Sequence, residues 1–199
     1  HLRIQLIYKE RIMPSPRFSR VDALCTLLLI LCFCSKVYAL DSLFLELGSI
    51  EGDEEAERYG GAFRYAPEKR WLESNNWYLS TYFEFGVAYW DGELGTEGED
   101  SLVDFGLTPV LRYQRSVNSG TFAPFFEFGT GVHAHTETGI GDKDIDIPFS
   151  FGTHLGIGVR FGETGRYELL YRFQHLSNAG LGDENPGLNF HAVQLGYYF

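Results

Sequence analysis

Hydrophobic and polar residues alternate with a period of two along most of the chain from residue 40 to residue 199. This pattern is typical of β-strands with one apolar face, whereas an amphipathic helix would repeat every ~3.6 residues. Turn-rich segments separate eight predicted strands, at roughly 41–50, 58–66, 77–90, 101–115, 121–135, 149–161, 167–176 and 190–199. Each is about as long as a tilted strand must be to cross a bilayer, or somewhat longer.

The connections between these strands differ in length and charge. Those after the odd-numbered strands are mostly long and acidic, as in EGDEEAE and DGELGTEGED. Those after strands four and six are short, SVNSG and GETG, although the one after strand two, PEKRWLESNN, is longer. Long outer loops that alternate with short periplasmic turns indicate an outer-membrane barrel.

The last strand, HAVQLGYYF, supports the same class. Its apolar residues Val193, Leu195, Tyr197 and Phe199 alternate with smaller or more polar ones, as a lipid face and a lumen face require. Chains that end in this way resemble outer-membrane proteins recognised by the barrel-assembly machinery, which is therefore an expected partner. We predict an all-β fold, an eight-stranded antiparallel transmembrane β-barrel of the bacterial outer membrane. The alternative is a soluble sandwich or lipocalin-like barrel in the periplasm.

One long apolar run, ALCTLLLILCFC, precedes the strands. Arg17 and Arg20 lie before it and the small residue Ala39 ends the segment behind it, which is the pattern of a secretory signal peptide. We therefore divide the chain into upstream residues plus a cleaved signal peptide (1–39) and a single barrel domain (40–199). All three cysteines lie in the first part, so the predicted barrel has no thiol chemistry.

The barrel domain is strongly acidic. It has ten basic and 25 acidic residues, a formal net charge of −15, and a surface of this sign does not favour nucleic acid as a partner. Some charged residues nevertheless lie within strands, at positions where the alternation points their side chains into the lumen. Since so narrow a barrel is filled by side chains, we predict a network of paired charges inside it. The members are Glu84, Arg112, Glu127, Arg160, Glu168 and Arg172, and His154 is also assigned to the lumen. Trp71, Trp77, Tyr89 and Trp90 are predicted to form interfacial girdles.

The segment HLSNAG ends the seventh predicted strand, on the side of the cell exterior. Steps of two along the apolar face of this strand reach His175 and Ser177, and steps of two back from Phe199 reach Asn189. These three polar side chains are therefore predicted to cluster on the lipid-facing wall, near the headgroups of the outer leaflet.

This cluster has the residue types of a serine hydrolase. A serine hydroxyl becomes nucleophilic when an imidazole takes its proton, and the imidazole in turn needs a third group to orient it. The Cβ atoms of His175 and Ser177 are expected about 6.5 Å apart, a gap that rotamers can close. Asn178 and the backbone N–H of Gly180 are candidate oxyanion donors. The alternative interpretation is that Asn-Ala-Gly only forms a turn and has no catalytic role.

The stretch HLSNAGLGDENPGLN resembles the active-site segment of the lipid A 3-O-deacylase (PagL-type) family, in which a His-x-Ser-Asn-Ala-Gly run ends the seventh strand of an eight-stranded barrel. The resemblance implies a serine esterase that removes the acyl chain at position 3 of lipid A in lipopolysaccharide, with no cofactor and no metal. In this resemblance His175 is the base, Ser177 the nucleophile, and Asn178 with Gly180 the oxyanion region.

One position departs from the family pattern. In the family's best-described member a glutamate that completes the triad lies twelve residues after the serine, and here that position is Asn189. An asparagine can orient an imidazole, but it cannot stabilise the imidazolium with a full charge. Glu184 or Asp183 in the same loop is the alternative third member, and Asn189 is preferred over Glu184.

Other polar residues allow further interpretations. His133 and His135 precede a loop that contains Asp142, Asp144 and Asp146, so a metal site is conceivable, but solvated side chains at a strand end are preferred.

The predicted function is an outer-membrane serine esterase that acts on lipid A, with its active site facing the outer leaflet. The alternative from another class is a small non-enzymatic barrel that stabilises the membrane or mediates adhesion. The oligomeric state is left open, with a homodimer as one alternative.

Overall fold

The computed structural model describes residues 40–50, 56–92, 100–118, 122–141 and 143–199. The predicted signal peptide lies outside these residues. The strands are β1 (Ser42–Ile50), β2 (Ala56–Tyr65), β3 (Arg70–Ser74), β4 (Trp77–Gly92), β5 (Ser101–Arg115), β6 (Ala123–His135), β7 (Gly139–Ile140), β8 (Lys143–Asp144), β9 (Phe149–Phe161), β10 (Tyr167–Ser177) and β11 (Leu188–Tyr198).

Eight of these strands form a closed antiparallel barrel. β1 pairs with both β2 and β11, and the order continues through β10, β9, β6, β5 and β4 until β4 pairs with β2. The eight long strands match the eight predicted ones within two residues at each end, which confirms the predicted fold class. No helix in the described residues is long and apolar enough to span a membrane.

The sequence pattern did not predict the three short strands. β3 lies in the connection after β2 and pairs with the periplasmic end of β4, where Trp71 is opposite Leu79. β7 and β8 form a two-stranded hairpin within the extracellular connection between β6 and β9. Strands of two to five residues are too short for alternation to reveal them.

Burial alternates along the barrel strands as predicted. On β10, Leu169 and Tyr171 are each 46% exposed, whereas Leu170 is fully buried and Arg172 is 2% exposed. The outward side chains of the neighbouring strands are similarly apolar and exposed, among them Leu155, Ile157, Val193 and Leu195. The outer wall is therefore the surface that meets lipid, and the inward set fills the lumen.

The middle of the lumen contains a closed ring of ion pairs. Three arginines and three glutamates alternate around it, each guanidinium bridging two carboxylates at N–O distances of 2.6–2.9 Å. In order around the ring they are Arg64, Glu84, Arg172, Glu127, Arg112 and Glu168. Every charge in the ring has two opposite neighbours, which satisfies the requirement that buried charges be paired. The predicted network is thus confirmed for five of its members, with Arg64 as an additional one.

A second charged layer lies nearer the extracellular end. Arg58 pairs with Glu46 at 2.6 Å and with Asp104 at 2.7 Å, and Asp104 also contacts His133 at 2.9 Å. The cavity between this layer and the ring is only about 20 Å³, which is about the space of one water molecule. His154, predicted in the lumen, is 2% exposed there.

Apolar side chains close the extracellular end of the lumen. The cluster comprises Ile50, Ala56, Trp90, Leu102, Ile140, Ile145, Leu176, Leu188, Phe190 and Ala192. Because residues from the β6–β9 connection take part in it, this loop is packed onto the barrel rather than extended into solvent.

Two predictions about single residues were wrong. Trp90 is not part of an interfacial girdle, since it is 1% exposed and its ring packs edge-on against Phe190 at 4.9 Å inside the lumen. Neighbouring residues on a strand face opposite sides, so Trp90 and Tyr89 cannot both point outward. Arg160 is not in the ion-pair ring, because its guanidinium donates to the backbone carbonyl of Gly165 in the β9–β10 turn.

Glycines on the lumen face make room for the large polar side chains. A Cβ atom on Gly152 would lie 2.4 Å from Nε2 of His133, and one on Gly156 would lie 2.7 Å from Cγ of Glu127. Both distances are shorter than real Cβ contacts, so any larger residue at these two positions would displace His133 or Glu127.

We predict that Arg112→Ala strongly destabilises the barrel. The substitution leaves Glu127 and Glu168 short of their partner in a buried site, and breaking a buried pair costs about 3–5 kcal/mol. Guanidinium-induced unfolding in lipid vesicles measures the loss. The control is Arg115→Ala on the same strand, where the side chain is exposed and the expected change is within about 0.5 kcal/mol. Equal effects of the two substitutions would contradict the role of the ring.

Candidate active site

Two adjacent strands carry the predicted catalytic side chains. β10 ends at Ser177 and β11 begins at Leu188, and the register places His175 directly opposite Asn189. His175 and Asn189 are exposed and Ser177 is half-buried, all on the lipid-facing side of the wall. The structure therefore brings the three side chains to one place at the extracellular rim.

His175 is hydrogen-bonded to Asn189. Its Nδ1 lies 2.7 Å from Oδ1 of Asn189. An amide oxygen only accepts, so the imidazole carries its proton on Nδ1 and presents the lone pair of Nε2. This is the tautomer that a general base needs, because Nε2 is then free to take a proton.

Ser177 lies on the same face of β10, two residues from His175, and its partner across the ladder is Phe151 of β9. Within the described residues, no hydrogen bond joins its hydroxyl to the imidazole. A rotamer change can bring the two together, and bonds between nucleophile and base often tighten only when substrate is bound.

Asn178 organises the loop that follows Ser177. Its side chain is 1% exposed, and its Nδ2 donates to the carbonyls of Glu184 at 2.6 Å and Ile145 at 3.2 Å. Its Oδ1 accepts the N–H of Gly180 at 2.8 Å. The two predicted oxyanion donors are thus bonded to each other, and the oxyanion role of Asn178 and Gly180 stays a prediction.

Glu184, the alternative third member, makes no hydrogen bond or ion pair with the imidazole among the described residues. Glu184 is exposed, and within the described residues its backbone, not its carboxylate, makes the recorded hydrogen bonds, to Asn178 and Asp146. His175 therefore has Asn189 as its hydrogen-bonding partner.

Sequence reasoning missed Gly187. It has a positive φ of 67°, and a Cβ atom there would lie 2.8 Å from Cε1 of His175. The backbone at this position thus forms one wall against the ring, while Asn189 holds Nδ1. The Pro-Gly pair in NPGLN marks a turn, but only the fold shows which side chain the glycine meets.

A polar pair lies deeper on the same wall. The hydroxyl of Tyr171 is 2.6 Å from Nδ1 of His191, and the ring of Phe173 packs against His191 at 5.2 Å. Polar groups that face hydrocarbon are costly unless they are paired, and these two satisfy each other.

The metal alternative finds no geometric support. His133 and His135 both point into the lumen, where His133 contacts Asp104 and His135 contacts Ser150. Among the residues that the structure describes, no group of three or more possible ligands is arranged so that it could hold a metal ion; Asp142 lies outside them.

A serine–histidine–aspartate arrangement also occurs inside the barrel. His135 Nε2 is 3.0 Å from Ser150 Oγ, and its Nδ1 is 3.5 Å from Asp104 Oδ1. Ser150 and Asp104 are fully buried, and His135 is 7% exposed. No acyl chain can approach this serine without unfolding the barrel, so the interior arrangement is structural.

The closed barrel, with its apolar lipid-facing wall, defines the class as an integral outer-membrane β-barrel protein. A family model described as Lipid A 3-O-deacylase (PagL) matches residues 57–198. The chain therefore belongs to the lipid A 3-O-deacylase (PagL) family, and it is an ester hydrolase of the outer membrane.

Individual relatives agree with this assignment. Lipid A deacylase PagL of Pseudomonas aeruginosa is 30% identical over 126 residues, which cover 63% of this chain and 69% of the relative. Lipid A deacylase PagL of Bordetella bronchiseptica is 31% identical over 116 residues, covering 58% of this chain and 60% of the relative. The crystal structure of the outer membrane enzyme PagL superposes with a TM-score of 0.69 at 24% identity, covering 79% of this chain and 99% of that one, which shows the shared fold.

We predict that Gly187→Ala impairs activity by displacing the His175 ring. A methyl group at this position must push the ring away from its present place, and small misplacements of a catalytic group cost about 10- to 100-fold in rate. Hydrolysis of lipid A by the purified protein measures the loss. Gly162→Ala is the matched control: it adds a methyl at another positive φ, 90°, against the ring of Tyr167 in a periplasmic turn. Equal losses in both variants would refute a specific effect on His175.

Proposed function

We propose that this protein removes the 3-O-linked acyl chain from lipid A, with Ser177 as nucleophile, His175 as general base and Asn189 as the orienting group. The observation that carries the proposal is the 2.7 Å hydrogen bond from His175 Nδ1 to Asn189 Oδ1, made on the lipid-facing wall beside Ser177. A barrel that only stabilises the membrane has no need of an oriented imidazole in this place.

The proposed reaction has two halves. Nε2 of His175 takes the proton of Ser177 as Oγ attacks the ester carbonyl, and a tetrahedral oxyanion forms. When the intermediate collapses, the bond from the carbonyl carbon to the sugar oxygen breaks, and the imidazolium gives its proton to that oxygen, which leaves as a hydroxyl. Water then attacks the acyl-enzyme with His175 again as base, which releases the fatty acid and restores Ser177.

The position of the site suits an ester near the membrane surface. Ser177 is the last residue of β10, at the extracellular rim, while the strand below it presents apolar side chains to lipid. The headgroup of lipid A can thus remain at the surface while its acyl chain lies along the wall, so the substrate does not have to leave the outer leaflet.

The oxyanion donors are part of the proposal. Gly180 N–H is bonded to the Asn178 side chain in this structure, so its use would require that bond to be exchanged for one to the substrate. Recognition by the barrel-assembly machinery and the alternative of a homodimer stay predictions.

We expect Asn189→Asp to raise kcat and Asn189→Ala to lower it. A carboxylate in the same place stabilises the imidazolium by charge, and hydrogen bonds to charged groups exceed neutral ones by about 1 kcal/mol, or roughly fivefold in rate. Alanine removes the orienting bond altogether. Steady-state kinetics on purified lipid A distinguish these outcomes, and equal rates for the three proteins would contradict the role of Asn189.

Mass spectrometry of lipid A tests the proposed function in cells. Expression of the intact protein should yield lipid A that lacks one 3-O-linked acyl chain, whereas Ser177→Ala and His175→Ala variants, inserted to the same level, should leave lipid A unchanged. An unchanged acyl count with the intact protein would favour a non-enzymatic barrel. Loss of an acyl chain with Ser177→Ala would exclude Ser177 as the nucleophile.

A further inference from the structure

The loop of residues 178–187 connects Ser177 to the strand that carries Asn189. Its conformation therefore affects the positions of both Ser177 and Asn189. Its last residue, Gly187, lies against the imidazole of His175. Whatever holds this loop also holds the relative positions of nucleophile, base and orienting group.

The neighbouring extracellular loop, between β6 and β9, makes several of the contacts that hold it. Oδ2 of Asp146 accepts the backbone N–H of Asp183 and lies 3.4 Å from that of Glu184. The preceding carbonyl, that of Ile145, accepts a hydrogen bond from the Asn178 side chain at 3.2 Å. A buried amide at the start of the 178–187 loop and a carboxylate at its middle thus join the two loops.

Gly182 shows how closely Asp146 approaches the loop backbone. A Cβ atom on Gly182 would lie 2.1 Å from Oδ2 of Asp146, so any other residue would displace the carboxylate. The carboxylate is therefore seated in the turn itself and is not an incidental surface neighbour.

Asp146 is itself held in place. It has a positive φ of 64°, and its N–H donates to Oδ1 of Asp144 at 2.7 Å. Ile145 beside it is 3% exposed in the apolar cluster that closes the lumen, and its N–H donates to the carbonyl of Thr138 at 2.7 Å. The segment that carries Asp146 is thus fixed to the barrel by packing as well as by hydrogen bonds.

We propose that Asp146 is a positioning residue for the active site, contributed by the adjacent loop, which clamps the 178–187 turn through the backbone amide of Asp183. This inference rests on the proposed function of Ser177 and His175. Bonds from N–H groups to a carboxylate are roughly twice as strong as neutral ones, so a single side chain suffices to fix the turn. Without it the turn relaxes, and the backbone next to Ser177 and the wall behind His175 shift together.

The test uses the full chain refolded in detergent or lipid, with Asp146→Ala, Asp146→Asn and the control Glu137→Ala, an exposed acidic residue of the same loop. Asp146→Ala should lower kcat on lipid A about tenfold or more while KM changes less than about twofold, since the loss is one of alignment. Asp146→Asn keeps one accepting oxygen and should restore most of the loss. Glu137→Ala should match the wild type.

Hydrogen–deuterium exchange supplies a readout that does not depend on activity. The amide of Asp183 should exchange faster in Asp146→Ala, with strand amides of β10 unchanged. Unchanged exchange at Asp183, or a kcat equal to that of the control, would overturn the proposal. If the wild type does not hydrolyse lipid A, the proposed function fails, and the exchange data alone decide whether Asp146 holds the turn.

Discussion

The closed ring of three arginines and three glutamates in the lumen is the constraint on which the rest of the structure depends. Because these six charges can be buried only where they meet each other, they fix which face of their strands points inward. A slip of one residue in a strand would turn its charge toward hydrocarbon. Arg172 and Glu168 fix the inward face of β10, and His175 and Ser177, which have the opposite parity, therefore lie on the lipid-facing wall.

The chemistry of the chain is thereby divided between two places. The interior holds charges and even a serine–histidine–aspartate arrangement, all buried inside the barrel. The outer wall holds the exposed imidazole of His175, whose Nδ1 is bonded to Asn189, and Ser177 lies two residues further along the same face of β10. Substrate access, and not the distances between polar atoms, decides which of these arrangements can hydrolyse an ester of a membrane lipid.

Much of this arrangement follows from the sequence, since the step of two residues determines both strand bounds and side-chain direction. Alternation gave the eight barrel strands and the outward placement of His175, Ser177 and Asn189. The prediction failed for Trp90, which was assigned to the membrane interface by its residue type, whereas alternation along β4 places it inward with the buried Ala88. Alternation also could not reveal the clamp between Asp146 and the 178–187 turn, because contacts between two irregular loops leave no periodic signal.

The most direct test of the central claim is to find which serine reacts. A lipophilic fluorophosphonate, which forms a covalent bond with an activated serine, is added to the folded protein in lipid vesicles, and the labelled peptide is sequenced by mass spectrometry. The account predicts a label on Ser177 that disappears in His175→Ala and is reduced by excess lipid A. A label on Ser150 within the lumen, or lipid A hydrolysis that persists when Ser177 is fully labelled, would contradict it.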